Sequence, residues 1–340
     1  MSAFALGRIL ADIPAGRLTD HRPARLMLAV GAFIVAGSGI IAGIAPNVAV
    51  IFVAAFLLGI GSAWTNTTGI AASAEAPKAR RGMAMAGFAA ALMVGQAIGP
   101  AFGGVAASVF DWRVAFVGGG VIALATGIVL ASRSEATPIV EGRKGGSDRA
   151  QIPRSVLIAL YLLPALQFGI AAALIQTLAP IVGDAELSLG VATIGASLGL
   201  GGLFRLVGAM VSGQISDRYS RRLALFPGLL LQFVAIAVFA ASATVLGWWL
   251  AIILFSVGST AVNVGATVLA DLSEGGRLGS RLGVFRVAGD AALFIGPLAA
   301  GAIYDGFGRA WATLPLLLFA GFVIVFGYLV IPETHETASS

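Results

Sequence analysis

Gly16-Arg17-Leu18-Thr19-Asp20-His21-Arg22-Pro23-Ala24-Arg25 returns 197 residues later as Gly213-Gln214-Ile215-Ser216-Asp217-Arg218-Tyr219-Ser220-Arg221-Arg222. The same offset, without a gap, pairs Arg8 with Arg205, Gly61-Ser62 with Gly258-Ser259 and Asn66 with Asn263. It also pairs Gly99-Pro100 with Gly296-Pro297 and Gly104 with Gly301. A single offset that joins polar loops and apolar runs from residue 8 to residue 104 marks two parallel copies of one structural unit.

Composition says what solvent surrounds those copies. Of 340 residues, 58% are hydrophobic and 11% charged, against about 25% charged in an average soluble domain. Mean hydropathy is +0.96. Too few charges remain to cover a soluble core of this length, so most of the surface faces lipid. A soluble enzyme with a single anchor is thereby excluded. The 46 glycines suit close helix–helix contact in a membrane. The apolar runs do not alternate in the period-two pattern of a membrane β-barrel, which leaves an all-α polytopic protein. The absence of cysteine, with His21 and His335 the only histidines, excludes disulfides, thiolate chemistry and a histidine metal site. No metal and no cofactor are expected.

Eleven apolar runs read as spanning helices: 1–16, 26–44, 48–72, 83–108, 113–132, 154–181, 190–213, 223–243, 246–270, 282–304 and 309–331. Lys and Arg collect in alternate gaps: three at 17–25, three at 78–81, five at 133–154, three at 218–222 and two at 277–281. The intervening gaps hold only Arg113 and Arg309. The net charge of +5 is therefore a topology signal and not a nucleic-acid one. It places the basic loops and the C-terminus in the cytoplasm of a plasma (inner) membrane protein. The expected domains are a first bundle over 1–132, a cytoplasmic linker over 133–153, a second bundle over 154–331 and a cytoplasmic tail over 332–340. The second bundle has six helices and the first has five. Subtracting 197 from residue 154 puts the missing counterpart upstream of Met1, a deficit of about 44 residues. The expectation is a six-plus-six plan of twelve helices lacking its first.

The two loop copies resemble the signature G-x-L-x-D-R-x-G-R-R found between helices two and three of the major facilitator superfamily. The first copy departs from it at His21, Pro23 and Ala24, the second at Ser220. Gly95-x-x-x-Gly99-Pro100-x-x-Gly103-Gly104 resembles the fifth-helix motif of that family's proton-driven drug antiporters, and Phe110-Asp111-Trp112-Arg113 is similar to its following outer loop. The glycines permit close helix contact, as any small-residue packing does, and the proline kinks the helix. The antiporters' fourth-helix arginine is replaced by Ala55. The resemblance implies two pseudo-symmetric bundles about a central path. It also implies a conformational latch at Gly16, Asp20, Arg25, Gly213, Asp217, Arg218, Arg221 and Arg222, in which a carboxylate meets the positive end of a facing helix.

Ionisable groups inside a span are costly and are there for a reason. Five qualify: Arg8, Asp12, Arg205, Arg286 and Asp290. Arg8 and Arg205 are repeat mates at one depth. They either face a cavity and bind anionic groups or pair with carboxylates and carbonyls at the bundle interface. Arg8 with Asp12, and Arg286 with Asp290, share helical faces at a spacing of four. Asp12 and Asp290 either couple protons, through surroundings that dry and wet in turn, or form fixed salt-bridge latches. Trp64, Asn66, Gln167 and Asn263 are uncharged polar groups for a substrate path or, equally, for interhelical hydrogen bonds. Gly195-Ala196-Ser197-Leu198-Gly199 fits G-x-S-x-G but lies inside an apolar run with no strand before it, so it is no nucleophile elbow.

These readings converge on a secondary active transporter, and not an enzyme, working as a monomer by alternating access. It would export a small amphipathic compound in exchange for protons. A nutrient or metabolite symporter or facilitator is the alternative within transport. A non-transporting truncated or sensor protein is the alternative outside it.

Overall fold

The computed structural model describes residues 1–19, 22–74, 81–132, 152–273 and 278–334. The helices are α1 Ser2–Thr19, α2 Ala24–Gly43, α3 Val48–Ala74, α4 Arg81–Val109, α5 Trp112–Ser132, α6 Arg154–Ile170, α7 Ala179–Ala185, α8 Val191–Arg218, α9 Arg221–Ala241, α10 Val245–Gly258, α11 Ala261–Asp271, α12 Leu278–Phe307 and α13 Arg309–Val330. A π-helical stretch, Ala171–Leu178, joins α6 to α7. No strand occurs among the described residues. Among the described residues, ten helical segments are long and apolar enough to cross a membrane. The eleventh, α1, carries Arg8, Asp12 and Arg17 within its 18 residues, which lowers its hydropathy below that of the rest. The expected linker at 133–153 lies almost wholly outside the described residues, as do Asp20 and the end of the tail.

The chain forms two compact units. One holds α1–α5 together with Val191–Ala196, and the other holds the remainder. Inside each, the duplication appears as the same helix crossing. A Cβ on Gly61 would stand 3.0 Å from the Gly31 carbonyl oxygen, where α3 crosses α2. In the second unit Gly258 abuts the Gly228 carbonyl, and a Cβ on Gly228 would lie 3.1 Å from the Gly258 carbonyl oxygen, where α10 crosses α9. These four glycines are two pairs of repeat mates. Backbone-to-backbone approach of this kind needs residues without side chains, and dispersion between the two helices then stabilises the crossing.

The repeat also accounts for the two arginines that broke the charge pattern. Arg113 donates from its guanidinium to the Ala45 carbonyl at 3.3 Å. Arg309 donates to the Ser242 carbonyl at 2.7 Å. Ala45 and Ser242 are themselves 197 residues apart, just beyond the ends of α2 and α9. Each arginine satisfies a carbonyl that its helix terminus leaves open and puts positive charge at the negative end of the dipole.

Two runs expected as single helices are interrupted, both in the second unit. Run 154–181 winds into the π stretch, where the Thr177 hydroxyl donates to the Ala172 carbonyl at 2.8 Å. The buried Trp248 indole N–H donates to the Ala179 carbonyl at 3.0 Å, at the start of α7. Run 246–270 breaks at Ser259-Thr260. The Ser259 hydroxyl donates to Ser256, the Thr260 hydroxyl to Val257 and the Gln232 amide to Gly258, at 2.7, 3.1 and 3.0 Å. Backbone groups freed inside a membrane must find partners within the protein, and these side chains supply them.

Candidate functional site

Within the first unit the polar residues of α1 and α3 meet. The Thr67 hydroxyl donates to Asp12 Oδ1 at 3.2 Å, joining the two helices across their span. Gly7 and Gly59 set that distance. A Cβ on either would overlap a backbone oxygen of the other helix, Phe56 or Phe4. The Arg8 guanidinium stands 5.9 Å from the Phe4 ring on its own helix. Trp64 and Asn66 are half-buried on α3. The Trp64 indole N–H is buried and has no partner among the described residues, so it remains a donor for a ligand. Arg25, half-buried at the start of α2, likewise keeps one buried nitrogen without a partner among them. Among the antiporter-like glycines, Gly95, Gly99 and Gly103 have open space where a Cβ would stand, whereas Gly104 is buried. Pro100 lies within α4.

In the second unit Gln167 on α6 is 2% exposed and Asp290 on α12 is 4% exposed. The Gln167 side-chain oxygen has no donor among the described residues. A buried amide oxygen left so costs about 1–3 kcal/mol, a cost that a bound donor would remove. Arg205 on α8 and Arg286 on α12 are half-buried, whereas Asn263 on α11 is exposed. None of Arg8, Asp12, Arg205, Arg286 and Asp290 lacks a partner, as ionisable groups at membrane depth require.

The second copy of the loop motif forms a hydrogen-bonded network at the end of the unit that carries the basic residues. Arg221 is its hub. Its guanidinium binds Asp217 at 2.8 Å and Asp271 at 3.2 Å, and it donates to the Ser216 carbonyl and hydroxyl, each at 2.9 Å. Arg222 donates to the Tyr328 carbonyl at 2.7 Å and lies 4.6 Å from the Tyr328 ring. Arg218 is exposed, and Gly213 has open space around it. Two partners were not read from the sequence. Asp271 ends α11, and its Oδ2 also accepts from the Thr334 hydroxyl at 2.9 Å. Glu333 accepts from the Ser220 hydroxyl and from the backbone N–H of Arg221 and Arg222. Their signal is an acid placed where an apolar run stops, beside a basic loop. In the first copy Gly16 lies within α1, whereas Asp20 and the side chain of Arg17 are outside the described residues.

The arrangement combines a buried carboxylate on α12, a half-buried one on α1 where glycines bring two helices into backbone contact, buried hydrogen-bonding groups without partners among the described residues, and a charged network at one end of the second unit. The Major Facilitator Superfamily family model matches residues 1–264. An uncharacterised MFS-type transporter of Methanocaldococcus jannaschii is 30% identical over 128 residues, 37% of this chain and 33% of the relative. The matched stretch thus spans about a third of that relative's length. Among solved structures, the chain is similar to a bacterial homologue of the human lysosomal transporter Spinster. Against its inward-facing, occupied form the TM-score is 0.77 at 17% identity, covering 96% of this chain and 86% of the other. Against its inward-facing, unoccupied form the TM-score is 0.71 at 16% identity, covering 97% and 86%. At these identities the likeness is one of fold. With the family matched over most of its length, the chain belongs to the major facilitator superfamily of multi-pass membrane proteins.

Proposed function

We propose that the chain is a secondary active transporter that works by alternating access and exports a small amphipathic compound in exchange for protons. The observation that carries the reading is Asp290, a carboxylate buried to 4% exposure inside a 30-residue helix. A carboxylate in that position changes its proton affinity when its surroundings pass from dry to wet, which is what coupling needs. Asp12, held by Thr67, is the corresponding group of the first unit. Trp64 in the first unit and Gln167 and Asn263 in the second offer hydrogen bonds from otherwise apolar helices, which suits an amphipathic substrate better than a heavily hydroxylated one. Arg8 in the first unit, with Arg205 and Arg286 in the second, balances the charge of the carboxylates within each. Gly95, Gly99, Pro100, Gly103 and Gly104 support export, as in the antiporters they resemble. The basic loops support a cytoplasmic C-terminus in a plasma membrane, and in this reading the chain works as a monomer.

Reconstitution in liposomes with an imposed pH gradient tests the proposal, using a fluorescent lipophilic cation as cargo. Gradient-driven flux is expected, with loss of at least about tenfold in Asp290→Asn and Asp12→Asn. Flux that ignores the gradient, or that both variants retain, would overturn coupling and favour a facilitator. Accumulation along the proton gradient, in place of exchange against it, would favour symport.

A further inference from the structure

A crevice of about 270 Å³ lies in the second unit between α6, α12 and α13. None of the residues proposed above to carry transport lines it. Gly169, Gly296, Ala299 and Ala312 hollow it out, and Leu316 and Phe319 also line it. One side is set by the close approach of Gly296 to the Gly169 carbonyl, at 2.7 Å from where a Cβ would stand. The lining residues are wholly apolar, from Ala165 to Phe319. Ile295, at 59% exposure, is part of it, so the crevice opens on the protein's surface. The neighbouring face of α13 is a stripe of exposed large apolar residues: Trp311, Leu314, Leu318, Phe322, Val325 and Leu329. In a multi-pass membrane protein such a stripe meets lipid.

We propose that this crevice seats one acyl chain of a bilayer lipid whose headgroup lies at the turn between α12 and α13. Water is a poor occupant, because a buried water needs two to four polar partners and the lining side chains provide none. A polar metabolite fails for the same reason. Hydrocarbon fits. A cavity of about 150 Å³ lined by apolar side chains stays dry and takes up benzene, and this one is nearly twice as large. In length it follows α13 from Ala312 to Phe319, about 10 Å of helix rise. Its lining residues run along α12 from Ala292 to Ile303 as well as along α13. The headgroup end is equally defined. Trp311, 60% exposed, stands at the first turn of α13, and Tyr304 reaches Glu186 beside Arg309. Tryptophan and tyrosine collect at headgroup depth. The lipid therefore belongs to the leaflet at the end opposite the Arg221 network.

The experiment uses the full chain in nanodiscs of phosphatidylglycerol containing a trace of the same lipid with a diazirine midway along one acyl chain. After irradiation, adducts are mapped by peptide mass spectrometry. Adducts should concentrate in peptides holding 295–303 and 312–319, about fivefold or more above the exposed Ile122–Val129 face of α5. Ala299→Phe, at the mouth, should abolish that excess and leave the α5 labelling unchanged. Ala299→Leu should lower it partly, and serves if the larger residue prevents folding. Labelling no denser in the crevice than on α5 would overturn the proposal. So would an excess that survives both substitutions. A parallel arm replaces the lipid probe by diazirine-labelled decanoic acid. Crevice labelling by the acid together with none by the phospholipid would assign the seat to a free amphiphile, and the lipid assignment would fall.

Discussion

Replacing Glu333 by Ala should loosen the start of α9, because the carboxylate closes the helix's account of unpaired donors. An α-helix begins with four N–H groups that have no partner within it. In α9 the Leu223 N–H goes to the Ser220 hydroxyl at 3.1 Å and the Ala224 N–H to the Ser220 carbonyl at 3.2 Å. The other two, on Arg221 and Arg222, go to Glu333 at 2.9 and 3.2 Å. The C-terminal segment thus completes a cap that Ser220 alone leaves half made. Losing a cap costs about 0.5–2 kcal/mol. Glu333 is an exposed residue, so solvent screens its charge and a value in the lower half of that range, about 1 kcal/mol, is appropriate. That corresponds to about fivefold faster exchange of the Arg221 and Arg222 amides. Glu333→Gln keeps an acceptor but loses the favourable charge at the helix's positive end, worth about 0.3–1 kcal/mol. It should show about a threefold rise. Hydrogen–deuterium exchange with fragmentation to single residues reads both, and the increase should fade from Arg222 to Ala224. Unchanged rates at the first two amides of the Ala variant would refute the capping argument. A uniform rise along all of α9 would refute it as well, since it would report general destabilisation.

Three further outcomes follow from the geometry. Trp248→Phe keeps a buried ring but deletes the N–H that holds the Ala179 carbonyl; exchange should rise about tenfold over 171–185 and stay unchanged in α8 and α12. Asp271→Asn removes a charge that Arg221 and Thr334 share. Because the pair is part-exposed, unfolding by denaturant should shift by under about 1 kcal/mol. Gly59→Leu forces a side chain into the Phe4 carbonyl and should lower the thermal midpoint by several degrees or abolish folding, whereas Gly95→Ala, with nothing within 4 Å, should leave the midpoint within about a degree. Tryptophan-fluorescence melts of the two glycine variants decide that comparison.

What the sequence makes legible is what the physics of a span forces on it. Helices in lipid must be apolar and of a set length, so the runs stand out and their number is close to that observed. The duplication is legible because one offset keeps Gly31 with Gly228 and Gly61 with Gly258, at crossings where only glycine fits. Arg113 and Arg309 stood out only as exceptions, since the carbonyls that they satisfy carry no mark in the sequence. Glu333 and Asp271 were missed for a related reason. Their partners are an arginine fifty residues away in the case of Asp271 and an N-terminal turn more than a hundred residues away in the case of Glu333, and only folding brings them together. The interruptions are the hardest to read, because hydropathy averages over the backbone and is blind to which carbonyl each hydroxyl takes.

That last point separates the two copies. Gly-Ser at 61–62 and at 258–259 occupies the same crossing, yet α3 runs through it unbroken and the second copy stops there. The difference lies in the hydroxyls around it. In α3, Thr65 donates back to both the Gly61 and Ser62 carbonyls, at 3.0 and 3.1 Å, and shares one donor between neighbouring turns of an intact helix. In the second copy Val262 stands at the position of Thr65 and Thr260 at that of Ala63. Ser259 and Thr260 then each bond three residues back, which tightens the turn and competes with the helical ladder. Gln232 takes the Gly258 carbonyl, so opening the ladder leaves no acceptor exposed to hydrocarbon. The glycine crossing is therefore what the two copies share. The break above Asn263 belongs to the second copy alone among the described residues. An irregular backbone at membrane depth survives only inside protein or beside a cavity, which makes the Ser259-Thr260 break the place where the two copies part most clearly in what their backbones can offer a ligand.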